Sequence, residues 1–253
     1  MKAINTVLEF ALEEKFLLLE VLYKKIDETF SKFRLACVPG CNLCCTNKIF
    51  STSLEAFYFL SGLDLRELER LKGFKVIRPV TTHNEFLLAC MRGEEPPQEM
   101  VHEDVLACPF LDENGLCRVY ERRPLMCRLM VSVKKCGEQG AEMPQFLFKV
   151  GTIALQLVEN IDQGGIYGNF FELLLFLRDF KEGKAEEIPP QFLNNVDVDE
   201  LPLLPEEDEE RKWVGSLYRT PIPGKDLTFR ELLNELRARF QEHRSLTFLD
   251  KVL

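Results

Sequence analysis

Cys37-Val38-Pro39-Gly40-Cys41-Asn42-Leu43-Cys44-Cys45 sets four cysteines within nine residues, and its reading decides how the rest of the chain is organised. A helix running on from Gly40 would put Cys41, Cys44 and Cys45 at i, i+3 and i+4, on one face. Cys37 would stand one turn back on that face. Pro39 and Gly40 break a continuous helix, so the stretch predicts a turn that carries Cys37 into a helix start. Clustered thiolates repel one another unless a cation or cluster neutralises them. The simplest chemistry for such a stretch is a metal site.

Outward from it, a second group begins at Cys108-Pro109-Phe110-Leu111 and passes through Asn114-Gly115 to Cys117-Arg118-Val119-Tyr120. It continues as Glu121-Arg122-Arg123-Pro124-Leu125-Met126-Cys127-Arg128, with Cys136 beyond. Asn-Gly between two short apolar runs predicts a hairpin turn, with Cys108 and Cys117 facing each other near its base. Two cysteines on a hairpin supply half of a tetrahedral sulfur site. Arg122, Arg123 and Arg128 either neutralise or hydrogen-bond the thiolates, or are surface charges; the sequence does not choose.

Together the two groups resemble the YkgJ-type cysteine-cluster family, to which zinc or iron chelation is ascribed and which the flagellin lysine methylases also resemble. Its pattern is a first group ending in CC, then CP-x-L, then C-x-[IV]-Y-x-x-RP-x-x-CR, then one more cysteine. Cys37, Cys41, Cys44, Cys45, Cys108, Cys117, Cys127 and Cys136 fill those places, over roughly residues 34–136. The resemblance implies these eight as metal ligands, for zinc or an iron–sulfur cluster. It carries over no residue for methyl transfer. Adjacent cysteines such as Cys44 and Cys45 seldom close on one small ion without strain. Two four-sulfur sites or one multinuclear site therefore remain open.

The 253 residues, 46% hydrophobic, suffice for one sizeable core. A net charge of −9 argues against general nucleic-acid binding, which wants a basic footprint. Charges at Glu9, Glu13, Glu14 and Lys15 interrupt any leader-like apolar run, and no stretch reaches the roughly 18 apolar residues of a membrane span. The expected location is therefore cytoplasmic, where structural disulfides are rare. The ninth cysteine, Cys90, follows Phe86-Leu87-Leu88-Ala89 and reads as a buried core thiol.

Residues 2–33 predict one amphipathic helix, with Ile4, Val7, Leu8, Ala11, Leu18, Leu22, Ile26, Phe30 and Phe33 near the 3.6 period. Thr52-Ser53-Leu54-Glu55 is a capping box that opens a short helix. Asp64 and Thr82 open two more. Pro144 begins an apolar helix through Ile161, Gly164-Gly165 breaks it, and Phe170–Phe180 forms a very apolar core helix. Residues 183–225, with the run Glu206-Glu207-Asp208-Glu209-Glu210, read as an extended acidic, Pro-rich arm that Trp213 and Tyr218 tack down. Thr228 caps a last helix within 226–253. His102 is a candidate further ligand, and no Cys-His-Asp/Asn arrangement supports nucleophilic catalysis.

The expectation is a mainly α, single helical domain (1–182) with a loop-rich cysteine cluster and a small β-hairpin, followed by the arm and the last helix. The expected function is metal binding. The alternatives are an iron–sulfur enzyme or redox protein, and a metal-handling or maturation factor docking a protein partner through the acidic arm. Neither nucleic acid nor membrane is an expected partner, and whether the chain is an enzyme is left open.

Overall fold

A computed structural model describes residues 7–98, 104–137, 140–199 and 201–249, with side chains as far as 243. The protein is mainly helical with a small three-stranded antiparallel sheet. Helix α1 spans Leu12–Phe30 and buries Leu18, Leu19, Leu22, Tyr23, Ile26 and Phe30 along one stripe. It is shorter than the periodicity of residues 2–33 predicts. Ala11, left-handed at φ 51°, interrupts the helical pattern ahead of it, and residues 2–6 lie outside the described residues.

Strand β1 (Phe50–Thr52) runs straight into α2 (Ser53–Leu60). The Thr52 hydroxyl accepts from the Glu55 N–H while the Glu55 carboxylate accepts from the Thr52 N–H, so the predicted capping box forms. A 3₁₀ turn over Leu65–Leu71 and α3 (His83–Met91) follow, opened by Asp64 and Thr82 as expected. Helix α4 (Leu125–Leu129) is short, and α5 (Gln145–Ile161) starts behind Pro144. Strand β2 (Ile166–Asn169) leads into α6 (Phe170–Lys181), then come β3 (Leu193–Asn194), α7 (Asp208–Tyr218) and α8 (Phe229–Leu249).

The sheet order is β1-β2-β3, with Phe50 opposite Asn169 and Tyr167 opposite both Thr52 and Leu193. Asn169 carries several connections at once. Its side-chain oxygen accepts from the Phe171 N–H at 3.0 Å and caps α6, while Nδ2 donates to the carbonyls of Asn47 and Ile77, both at 2.8 Å. The chain just after Cys45 is thus anchored to the sheet.

Two apolar bodies flank this junction. One gathers α1, α4, α5, α7 and α8 around Leu22, Leu157, Leu217 and Leu232. The other gathers α2 and α6 around Phe57, Phe59, Phe170, Phe171 and Phe110. Each large apolar side chain so buried contributes about 1.5–3 kcal/mol. Residues 144–180 and α1 do form the scaffold.

Two expectations need correction. Residues 208–218 of the supposed extended arm are helical: the acidic run supplies the first turn of α7, where negative charge suits the helix N-terminus. Trp213, Val214 and Leu217 are buried, and Trp213 Nε1 donates to Thr29 Oγ1 at 2.8 Å. Cys90 is exposed rather than buried, because α3 turns Asn84 and Ala89 inward and leaves Phe86, Cys90 and Met91 outside.

Candidate metal centre

The nine cysteines are free thiols, and eight of them lie in two segments that meet backbone to backbone. The Cys108 N–H donates to the Cys45 carbonyl at 2.9 Å, and the Asn47 N–H donates to the Leu106 carbonyl at 2.9 Å, around a bridge between Thr46 and Ala107. Asn47 is buried and locks the contact further: Oδ1 accepts from the Leu106 N–H at 3.0 Å and Nδ2 donates to the Asp104 carbonyl at 3.1 Å. A second tie lies ahead of the first cysteine, where the Ala36 N–H donates to the Ser132 carbonyl at 2.8 Å. That tie carries Cys37 toward the segment ending in Cys136.

The predicted helix start at Gly40 does not form. The Cys41 N–H donates to the Val38 carbonyl and the Cys45 N–H to the Asn42 carbonyl, both at 2.9 Å, giving two successive turns. The reason is tertiary. Asn42 packs on Gly115 at the tip of the second segment, so closely that a Cβ on Gly115 would collide with its side-chain nitrogen. Gly115 has φ 74°, which the Asn-Gly turn requires. That turn closes as a hairpin held by the Leu111–Cys117 bridge and by the Arg118 N–H donating to the Phe110 carbonyl at 3.0 Å.

These ties bring thiols of the two segments near one another. Cys37 stands beside Cys41, Cys44 and Cys136; burial pushes its thiol up and those neighbours add to the effect. Cys37, Cys41 and Cys44 are exposed, and Cys136 is partly so. Cys45 instead stands near Cys108 and Cys127 as well as Cys44. Cys108 neighbours Cys117, and Cys127 neighbours both. Cys108 and Cys127 pack against the phenylalanine-rich core. Burial pushes the Cys108 thiol up to about 11 and raises that of Cys127 as well. The Cys45 thiol donates to Cys44, which lowers Cys44 to about 6 and raises Cys45. Cys44 Sγ also lies 3.9 Å from the Met130 carbonyl oxygen.

The three arginines divide. Arg128 is buried and structural: it pairs with Asp27 at 2.6 Å, donates to the Arg123 and Glu121 carbonyls, and lies 4.3 Å from the Tyr23 ring centroid. Arg122 reaches the Tyr58 carbonyl at 3.4 Å. Arg123 alone faces the sulfurs. Its charge acts on Cys44, Cys117 and Cys127, its guanidinium lies 3.8 Å from the Tyr120 ring centroid, and its buried Nε has no hydrogen-bond partner.

Cys127 is positioned through Glu55, which sequence reasoning identified only as a capping residue. Glu55 Oε1 accepts from the Tyr23 hydroxyl at 2.8 Å and from the Leu125 N–H at 2.6 Å, the first residue of α4. One buried carboxylate therefore joins α1, α2 and the helix that carries Cys127.

Among the described residues, no three His, Cys, Asp or Glu side chains stand as a ready-made metal-holding group. The donor chemistry nevertheless fits a thiophilic metal: neighbouring sulfurs, an orphaned buried donor on Arg123, and one positive charge over three thiols. His102 lies outside the described residues. No described helix is long and apolar enough to cross a membrane.

No curated protein and no solved structure matches the chain. Residues 36–145 match the family model named CxxCxxCC, described as "Putative zinc- or iron-chelating domain", which is the stretch over which the sequence resembles the cysteine-cluster family.

Proposed function

We propose that this is a metal-binding protein whose ligands are Cys37, Cys41, Cys44, Cys45, Cys108, Cys117, Cys127 and Cys136, holding zinc or an iron–sulfur cluster. The observation that carries this reading is the hydrogen bond from the Cys108 N–H to the Cys45 carbonyl. It joins cysteine segments 63 residues apart (108 minus 45) and sets thiols from both beside one another. An all-thiolate shell suits both zinc and iron–sulfur clusters. When bound, the metal supplies a cross-link between the segments. The chain's own part is to aim the sulfurs: Asn47 and Asn42 fix the first segment, Glu55 fixes Cys127, and Arg123 offsets the accumulated negative charge. Thiolate ligands of this kind persist where thiols are kept reduced, which accords with a cytoplasmic location.

The test is elemental and acid-labile sulfide analysis of chain purified without oxygen. Zinc without sulfide gives a colourless protein, and iron with sulfide gives a brown one. Cys44→Ser and Cys117→Ser should each lose metal while Cys90→Ser keeps it all. A chain carrying neither metal, or a Cys117→Ser variant with its full complement, overturns the reading.

A further inference from the structure

Helix α8 carries Arg230, Leu233, Asn234 and Arg237 at i, i+3, i+4 and i+7, on one face. That face lines a cavity of about 220 Å³, together with Val214 and Tyr218 of α7 and with Asp199, Leu201 and Leu203 from the segment ahead of α7. The segment is pinned. Asn160 bonds both the N–H and the carbonyl of Val198 at 3.0 Å, and Arg237 Nη2 donates to the Asp197 carboxylate at 2.6 Å and to the Val198 carbonyl at 2.8 Å. Val214 and Leu233 are buried, and Leu201, Leu203 and Tyr218 are half-buried against the helical core, so the cavity has an apolar side. Its charges do not close on one another. Among the described residues Arg230 makes no ion pair; its guanidinium lies 5.3 Å from the Tyr218 ring centroid. The Asp199 carboxylate accepts no hydrogen bond among them, although its backbone carbonyl takes Arg237 Nη1 at 3.3 Å. That long bond leaves Nη1 a donor to spare, and Arg237 Nε is buried without an acceptor.

We propose that the cavity between α7, α8 and residues 199–203 binds a small zwitterion, an α-amino acid with a branched aliphatic side chain. The chemistry of the walls selects this class. Arg230, with the spare donor of Arg237, offers the planar fork that a carboxylate fits. Asp199 offers an acceptor for an ammonium group. Leu201, Leu203, Val214 and Leu233 take the aliphatic side chain out of water, at about 0.8 kcal/mol for each buried methylene. A few converging polar groups over an apolar wall are the ordinary make-up of a small-molecule site, and this cavity is smaller than the roughly 300 Å³ at which sites for drug-sized ligands begin. Asp199 also sets a limit on charge. A dianion would bring a second negative group against it, whereas a zwitterion meets both signs. The inference is independent of the metal-binding reading, since no cysteine lines the cavity.

The experiment titrates the full chain with L-leucine and follows binding by ligand-observed nuclear magnetic resonance. Three truncated probes are run beside it: 4-methylpentanoate, which lacks the ammonium; 3-methylbutylamine, which lacks the carboxylate; and glycine, which lacks the side chain. Leucine should bind saturably with a millimolar Kd, and each truncated probe at least about tenfold more weakly, the effect of one lost charge-assisted contact. Arg230→Gln and Asp199→Asn should each weaken leucine by a similar factor. Both side chains are exposed, so both variants should melt within about 1 °C of wild type. No saturable binding of leucine below about 20 mM overturns the proposal. So does a truncated probe that binds as well as leucine, or a variant at either position that binds leucine as wild type does.

Discussion

Replacing Cys117 by serine removes one proposed ligand and weakens the metal's cross-link between the two segments. The chain from Cys45 to Cys108 runs through α2 and α3, and pinning a loop of that length is worth about 4 kcal/mol on the chain-entropy relation. The backbone bonds between residues 45–47 and 106–108 close the same loop without metal, so that figure is the ceiling for the metal's share. For 253 residues, unfolding entropy converts each kcal/mol to about 2 °C, and the expected fall in Tm is up to about 8 °C. Thermal melting followed by far-UV circular dichroism reads it. Wild type, Cys117→Ser and Cys90→Ser are compared, each with and without prior treatment with EDTA. Cys90 is exposed on α3, so Cys90→Ser should melt within about 1 °C of wild type and keep all its metal. The reasoning fails if Cys117→Ser melts with wild type and retains its metal, or if metal-stripped wild type is as stable as loaded protein.

Three further outcomes are expected. Glu55→Ala leaves the buried Tyr23 hydroxyl and Leu125 N–H without an acceptor and should cost about 3 kcal/mol; Glu55→Gln, which keeps one acceptor oxygen, should cost less, and denaturant titration measures both. Arg123→Gln should leave the melting temperature nearly unchanged but weaken metal retention on the order of tenfold in chelator competition, because the charge over Cys44, Cys117 and Cys127 is gone; unchanged retention would remove Arg123 from the site. Glu159 is buried where it accepts the His83 N–H at 2.6 Å, and burial pushes its carboxyl up to about 7 from 4.5. The native state then holds that proton more tightly than the unfolded chain, so this group's contribution to stability falls as pH rises through that window and is flat above it. Melting temperatures of wild type and Glu159→Gln over that range should diverge in slope, and parallel slopes would contradict the assignment.

What the sequence revealed was local chemistry. The Thr52–Glu55 box and the Pro144 start of α5 each state themselves within a few residues and stand as read, and the apolar stripe of α1 stands from Leu18 to Phe30. The misreadings have non-local causes. Cys41 to Cys45 has helical spacing, but Asn42 is held by Gly115 and Cys45 by Cys108, and these tertiary ties win over spacing. Residues 206–210 look like a solvated run, yet Trp213, Val214 and Leu217 just behind them carry a 3–4 spacing that buries one face of α7. Strands of three and four residues, β1 and β2, are too short for an alternation signal, and both their faces are buried. Glu55 shows as a cap in sequence; its second role, holding α4 and Cys127, depends on a partner 70 residues away.

The central claim, that sulfurs from both segments surround the metal, is tested most directly by X-ray absorption at the metal edge of the chain purified without oxygen. The account predicts a first shell of four sulfurs at about 2.3 Å per metal, with no nitrogen or oxygen scatterer. In Cys45→Ser and Cys117→Ser, that all-sulfur shell should lose amplitude. A first shell containing nitrogen or oxygen in the wild-type protein, or a full sulfur shell in Cys117→Ser, would contradict it.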